Sequence, residues 1–221
     1  MLFRSAVIIA DLSRSMDFAS VDASKRELLV RIAATLAFSA ATDNMKVGLL
    51  GFTDRIEVDL PLKKGPAHSW RVVEALWDAK PGSPRTDFAL PFEHLLTRLT
   101  TSTLLFLISD FVQVESSFRS HALSHLARKH DLMPVIIEDP WDTALPGGKG
   151  FVRLHDAESG AAMVLNLSRH NKNIYRALMQ ERKLGLQRSF YNLNFDHLFL
   201  DVGAPYLDSL LGFFLARKRR K

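Results

Sequence analysis

The chain alternates between short, continuous apolar runs and longer stretches in which apolar residues recur every three or four positions. Runs such as AVIIAD (6–11) and TLLFLISD (103–110) predict buried strands, each ending in an aspartate. Between them, a capping-box pattern begins at Ser24 and is completed by Glu27, and it opens a helix predicted over about 24–41. The alternation predicts an α/β fold with a mostly parallel sheet.

The remaining segments extend this pattern to the end of the chain. Residues 45–62 predict two strands joined near Thr53 and Asp54, and the alternation of Ile56, Val58 and Leu60 places the second strand at a sheet edge, antiparallel to the first. Pro134 predicts the start of a strand or a bulge. The other predicted elements are helices at 69–78, 88–99, about 116–129, about 170–188 and from about 205, strands at 134–139 and 196–202, and a small hairpin at 150–155 and 161–167.

Composition narrows the class of protein. With 221 residues, 47% of them hydrophobic, the chain can bury a conventional core, and we predict a single domain over 1–221. Five of the 29 basic residues lie at 217–221, so the rest of the chain carries 24 basic and 24 acidic residues. We therefore expect no nucleic-acid partner and a solvated basic tail, although a tail that binds a partner without any metal stays an alternative.

Two further absences in the sequence exclude other classes. The chain has no cysteine, so disulfide and thiolate chemistry are excluded and a cytoplasmic location is expected. Its longest apolar runs, LLFLI and LLGFFLA, are far shorter than the roughly 18 residues that a membrane-spanning helix needs.

The candidate chemistry lies at the predicted carboxyl ends of the strands. Asp11 and Asp110 end two buried strands, Ser13 and Ser15 follow the first, and Thr86 precedes a predicted helix. Ligands of open α/β sheets gather at this edge. Two carboxylates and three hydroxyls, with no sulfur or imidazole, favour a hard cation, Mg²⁺ first and Mn²⁺ next.

These five residues also fit roles that involve no adhesion site. An EF-hand is excluded because Met16 and Asp22 stand where the loop needs glycine and glutamate. Each site residue taken singly is also explained by a turn or a helix cap. From the enzyme class, a Mg²⁺-dependent phosphohydrolase or nuclease using Asp11 and Asp110 is the alternative function.

The remaining aromatic and imidazole side chains are predicted to have mainly structural roles. Trp70 and Trp77 are predicted to pack in the core, and Trp141 is the aromatic side chain we expect to contact a partner. Three histidines have spacing that could hold zinc, but surface positions are favoured; they are His121, His125 and His130.

The motifs DLSRSM, PRTDF and LLFLISDF together resemble the metal-ion-dependent adhesion site of von Willebrand factor A (vWA) domains. Nearly the whole chain is similar to a bacterial vWA family of unknown function that is commonly paired with MoxR-type AAA+ ATPases. The resemblance implies a Rossmann-like, six-stranded sheet with helices on both faces. It also implies a metal set of Asp11, Ser13, Ser15, Thr86 and Asp110, holding Mg²⁺ with Mn²⁺ or Ca²⁺ as alternatives.

By the same resemblance, we expect a binding protein and not an enzyme. It would capture an acidic residue of a partner through the metal and work with a MoxR-type ATPase, or its client, in protein remodelling or in cofactor or metal insertion. Arg14 stands where a small residue is more usual, and we expect its side chain to project outward. Family members usually carry an upstream segment, so this chain is expected to be a fragment, with membrane association through that segment or a partner.

Overall fold

The computed structural model describes residues 3–112, 121–155 and 160–220, and it contains the predicted alternation of strands and helices. The strands are β1 (Ser5–Asp11), β2 (Lys46–Phe52), β3 (Ile56–Lys63), β4 (Leu104–Ser109), β5 (Asp131–Glu138), β6 (Phe151–His155), β7 (Ala162–Asn166) and β8 (Leu198–Asp201). The helices are α1 (Lys25–Thr42), α2 (Pro66–Trp77), α3 (Ala89–Arg98), α4 (His121–Lys129), α5 (Pro140–Thr143), α6 (Arg169–Asn192) and α7 (Tyr206–Arg220). Residues 116–120 of the helix predicted over 116–129 lie outside the described residues.

Six strands form one sheet in the order β3-β2-β1-β4-β5-β8. Each neighbouring pair is parallel except β2 and β3, which are antiparallel, so β3 is the predicted edge strand. β6 and β7 form a separate antiparallel hairpin. These features confirm the predicted α/β, Rossmann-like fold with one antiparallel edge strand, and the parallel strands bring their carboxyl ends to one edge of the sheet.

Both faces of the sheet are covered, which explains the continuous apolar runs inside the central strands β1 and β4. On one face, Ile8 and Ala10 pack with residues of α1, α2 and α7. On the other, Val7 and Ile9 pack with residues of α3, α4 and α6. Alternate residues of β1 therefore belong to two different cores.

Helix α1 begins as the sequence predicts. The Ser24 hydroxyl accepts a hydrogen bond from the Glu27 amide, and the Glu27 carboxylate accepts one from the Ser24 amide. This reciprocal pair is the capping box, and it fixes the first turn of α1 beside the end of β1. One face of α1 is buried, and it comprises Leu29, Ile32, Ala33, Leu36 and Ala40.

The prediction for Pro134 was wrong, because the proline lies inside β5. The ladder with β4 continues through Leu107 and Pro134, and pairing with β8 begins one residue later, at Val135. Because β8 pairs with β5 only after Pro134, no hydrogen bond to β8 requires the N–H that proline lacks.

Several side-chain predictions also need correction. Trp70 and Trp77 are 63% and 68% exposed, so they are surface residues of α2 and not core. His130 is buried, whereas His121 and His125 are exposed as predicted.

The predicted solvated tail is in part helical and anchored. Residues 217–220 belong to α7, and the Arg217 guanidinium donates hydrogen bonds to the carboxylates of Asp131 and Asp196. These two partners lie at the start of β5 and just before β8, so Arg217 fastens α7 to the sheet. Across the residues that the structure describes, no helix has the length and apolarity to span a bilayer.

Candidate functional site

Asp11 ends β1 as a buried carboxylate whose two oxygens are both engaged. Oδ1 accepts a hydrogen bond from the Ser13 amide at 2.9 Å, and Oδ2 accepts one from the Ser109 hydroxyl at 2.6 Å. Asp11 is 1% exposed. The carboxylate is therefore held in one orientation by the loop that follows β1 and by the last residue of β4.

The two predicted serines lie together. The Ser13 and Ser15 hydroxyl oxygens are 3.2 Å apart, and both residues are buried. A turn of 3-10 helix over Arg14–Asp17 begins directly after Ser13, and its tight winding brings the Ser13 and Ser15 side chains together. Arg14 between them is exposed, in agreement with the prediction that its side chain projects outward.

Thr86 lies on a loop that contacts the loop carrying Ser13 and Ser15. The Arg14 amide donates to the Pro84 carbonyl at 3.2 Å, so the segment before Thr86 is joined to the loop after β1. Helix α3 begins at Ala89 with Phe88 in the capping position and no side-chain cap. The Asp87 carboxylate accepts from the Ala89 amide instead, which is the ordinary structural role expected of an acid there.

Asp110 follows β4 directly and is buried beside Asp11. Its Oδ1 accepts from the Val112 amide at 3.3 Å, and the next residue, Phe111, has a φ of 53°. This left-handed conformation is strained for a bulky side chain. Phe111 is held there by rings on two helical segments, at 5.5 Å from both Phe88 and Phe190.

The charge of Asp110 acts on the carboxyl of Asp11. Burial, followed by the charge of Asp110, raises the pKa of Asp11 from 3.8 to about 6, although hydrogen bonds from Ser109 and Ser13 oppose the change. Two neighbouring carboxylates repel each other when both are ionised. A divalent cation would relieve that repulsion.

Sequence reasoning missed a buried cation at this site. The Lys25 ammonium donates to Asp110 Oδ2 at 2.7 Å and lies 2.9 Å from Asp142 Oδ2. The Lys25 and Asp110 side chains are each 2% exposed. The sequence pattern placed Lys25 only within a capping box, and the fold is needed to bring it across to the end of β4.

Three more residues that hold the site were missed. Ser109 orients Asp11 and also accepts from the Phe111 amide at 2.9 Å. Arg182 of α6 donates to the carbonyls of Asp110 and Phe111 at 3.2 and 2.9 Å. Asp139 accepts a hydrogen bond from the Ser20 amide at 2.8 Å. The sequence could have indicated Asp139, because Asp139 and Asp142 have the spacing of a capping box and form one at the start of α5.

The oxygen ligands at this site fit a hard divalent cation. They do not form the cluster of acidic or imidazole side chains found in many other metal sites. Within residues 3–112, 121–155 and 160–220, no group of three or more His, Cys, Asp or Glu side chains is arranged to hold a metal ion. The candidate site instead combines hydroxyl oxygens with the carboxylates of Asp11 and Asp110. Such sets suit Mg²⁺, which accepts neutral oxygen ligands and retains several waters.

Comparison with known protein families identifies one family whose match includes the candidate site. A family model described as a protein of unknown function, DUF58, matches residues 4–184, which include all five predicted site residues. The chain belongs to the DUF58 family.

Other proteins resemble this DUF58 chain along most of its length. An uncharacterized protein of Mycobacterium tuberculosis is 24% identical over 214 residues, which cover 96% of this chain and 67% of the relative. The crystal structure of a conserved hypothetical protein, BatB, from Bacteroides thetaiotaomicron superposes with a TM-score of 0.61 at 15% identity, over 98% of this chain and 99% of that chain. The structure of a von Willebrand factor type A protein from Catenulispora acidiphila superposes with a TM-score of 0.47 at 16% identity, over 62% of this chain and 33% of that chain.

Proposed function

We propose that this DUF58 chain is a metal-dependent adaptor that captures an acidic residue of a partner protein. Ser13, Ser15 and Thr86 would hold Mg²⁺, with Asp11 and Asp110 as ligands directly or through water. The vWA-like fold and the family favour an interaction role. The observation that carries the metal proposal is the pair of buried hydroxyls 3.2 Å apart beside the fixed carboxylate of Asp11.

The geometry also favours capture over catalysis. Neutral hydroxyl ligands leave much of the charge of a bound cation unquenched, so the ion retains attraction for a carboxylate from outside. From the family resemblance, the partner would be a MoxR-type AAA+ ATPase or its client. Their joint role would be protein remodelling or the insertion of a cofactor or metal.

Calorimetric titration with Mg²⁺ and Mn²⁺ tests the metal proposal. We expect Ser13→Ala to weaken binding at least about tenfold, because it removes one of the hydroxyl ligands. Ser39→Ala, an exposed serine of α1, is the matched control and should bind as the wild type does. Equal binding by wild type and Ser13→Ala would overturn the proposed ligand set.

A capture assay tests the adaptor role. A MoxR-type ATPase from the same cell should be retained by the wild type in Mg²⁺ and released by a chelator. Ser13→Ala should fail to retain it under either condition, while Ser39→Ala retains it. Capture by Ser13→Ala at wild-type strength would show that the partner does not use the metal.

One observation favours the hydrolase alternative. A buried carboxyl whose pKa is raised to about 6, as for Asp11, lies in the range used by general bases. However, both Asp11 oxygens accept hydrogen bonds from Ser13 and Ser109, which is the environment of a positioned ligand. We propose no catalytic role. Turnover of a generic phosphoester in Mg²⁺ that disappears in Asp110→Asn would reverse this choice.

A further inference from the structure

Lys25 occupies an unusual position for a lysine. It is the first residue of α1, where the positive end of the helix dipole disfavours a cation, and its side chain is 2% exposed. The capping of α1 is completed by Ser24 and Glu27, so Lys25 is not needed for it. Burying an ammonium is costly unless opposite charges meet it.

Those opposite charges belong to the candidate metal site and its border. Lys25 Nζ lies 2.7 Å from Asp110 Oδ2 and 2.9 Å from Asp142 Oδ2. The ammonium therefore forms a buried ion pair with the carboxylate that the metal would use.

The negative charge at this site attracts a metal ion as well as Lys25. Two carboxylates, those of Asp110 and Asp142, contact the ammonium, and the charge of Asp11 beside Asp110 adds to the attraction for a divalent cation. However, a cation that approaches Asp110 also approaches Lys25, so the two positive charges compete for the same carboxylate.

We propose that Lys25 is a tethered competitor of the divalent cation, holding Asp110 when no metal is bound and lowering the affinity of the site for metal. The inference rests on the proposed metal-binding function. Asp142 makes the exchange feasible, because it already contacts the ammonium and is 23% exposed. When metal takes Asp110, Lys25 retains Asp142 as its partner and does not become an unpaired buried charge.

The test compares Mg²⁺ affinities by calorimetry at one ionic strength. Lys25→Met removes the competing charge and should bind Mg²⁺ at least about tenfold more tightly, because two cations a few ångströms apart repel strongly inside a protein. Lys25→Arg retains a positive charge and should stay near the wild type. Lys183→Met is the matched control, since Lys183 pairs with Glu138 near the same edge, and its affinity should change by less than about twofold.

A second variant keeps the test decisive if Lys25→Met does not fold. Lys25→Gln retains a hydrogen-bond donor while removing the charge, and it should also bind Mg²⁺ more tightly than wild type. In metal-free buffer, both neutral variants should unfold at lower urea concentration, because Asp110 loses its cation. Added Mg²⁺ should then stabilise the neutral variants more than it stabilises the wild type.

The outcomes separate this inference from the proposed function. If wild type binds Mg²⁺ and neither neutral variant binds more tightly, Lys25 does not compete and the inference alone fails. If wild type binds no Mg²⁺ but a neutral variant does, competition is supported. If no protein binds Mg²⁺, the metal proposal and this inference both fail.

Discussion

Replacing Asp11 by asparagine should change how the stability of the protein depends on pH. Asparagine has nearly the same shape, and its carbonyl oxygen can still accept from the Ser13 amide while its amino group faces the Ser109 hydroxyl. What it removes is a buried negative charge next to Asp110. The substitution therefore tests the electrostatics of the site with little disturbance of packing.

The sign and size follow from the pKa of Asp11, which is about 6 in the folded protein against 3.8 as the ordinary value. Because the folded state holds the proton more tightly, the contribution of Asp11 to stability is full below about pH 4 and is lost as pH rises through 6. The difference of about two pH units corresponds to a loss of about 3 kcal/mol. Asp11→Asn has no such loss.

Urea unfolding of wild type and Asp11→Asn from pH 4 to 8 in a chelating buffer measures this effect. The stability of Asp11→Asn relative to wild type should increase by about 2 to 3 kcal/mol over that range, mostly between pH 4 and 6. Asp22→Asn, at an exposed aspartate, is the control and should show no comparable gain. A stability difference between Asp11→Asn and wild type that stays constant with pH would show that the Asp11 charge is not destabilising.

Two other predictions concern single side chains. Ser109→Ala should lower the free energy of unfolding by about 1 to 3 kcal/mol, since Asp11 loses a donor and the Phe111 amide loses an acceptor; a urea midpoint equal to wild type would contradict it. Burial, then the charge of Lys129, lowers the pKa of His130, so the folded protein is destabilised as pH falls through and below 6.5. His130→Leu should therefore gain more stability over wild type at pH 5 than at pH 8 in thermal unfolding, and an equal gain at both would contradict this cause.

The elements and the fold class could be predicted from local pattern. Continuous apolar runs specify strands buried on both faces, and the Ser24 to Glu27 spacing specifies where α1 begins, because these signals depend on residues close in sequence. The alternation at Ile56, Val58 and Leu60 also placed β3 at the edge. Pro134 was misplaced because its tolerance depends on where β8 starts to pair, which is a property of a distant strand.

Trp70 and Trp77 show a similar limit. Their size favours burial on average, but which face of α2 meets the sheet is decided by packing against α1 and β2, and both rings remain exposed. Arg217 shows the opposite case, because a basic residue in a charged terminal run is fixed by two acids far away in sequence.

For the candidate site, the order of residues along the chain is enough to indicate which oxygen-bearing side chains follow the strands: Asp11, Ser13, Ser15, Thr86 and Asp110. Parallel strands carry such residues to one edge, so the proximity of Asp11 and Asp110 follows from the order of the elements. That Lys25 reaches Asp110, and that Ser109 orients Asp11, is visible only in the folded chain. Those contacts join residues 85 and 98 positions apart, and they are selected by the free energy of burying charge in a shared interior, which no local pattern encodes.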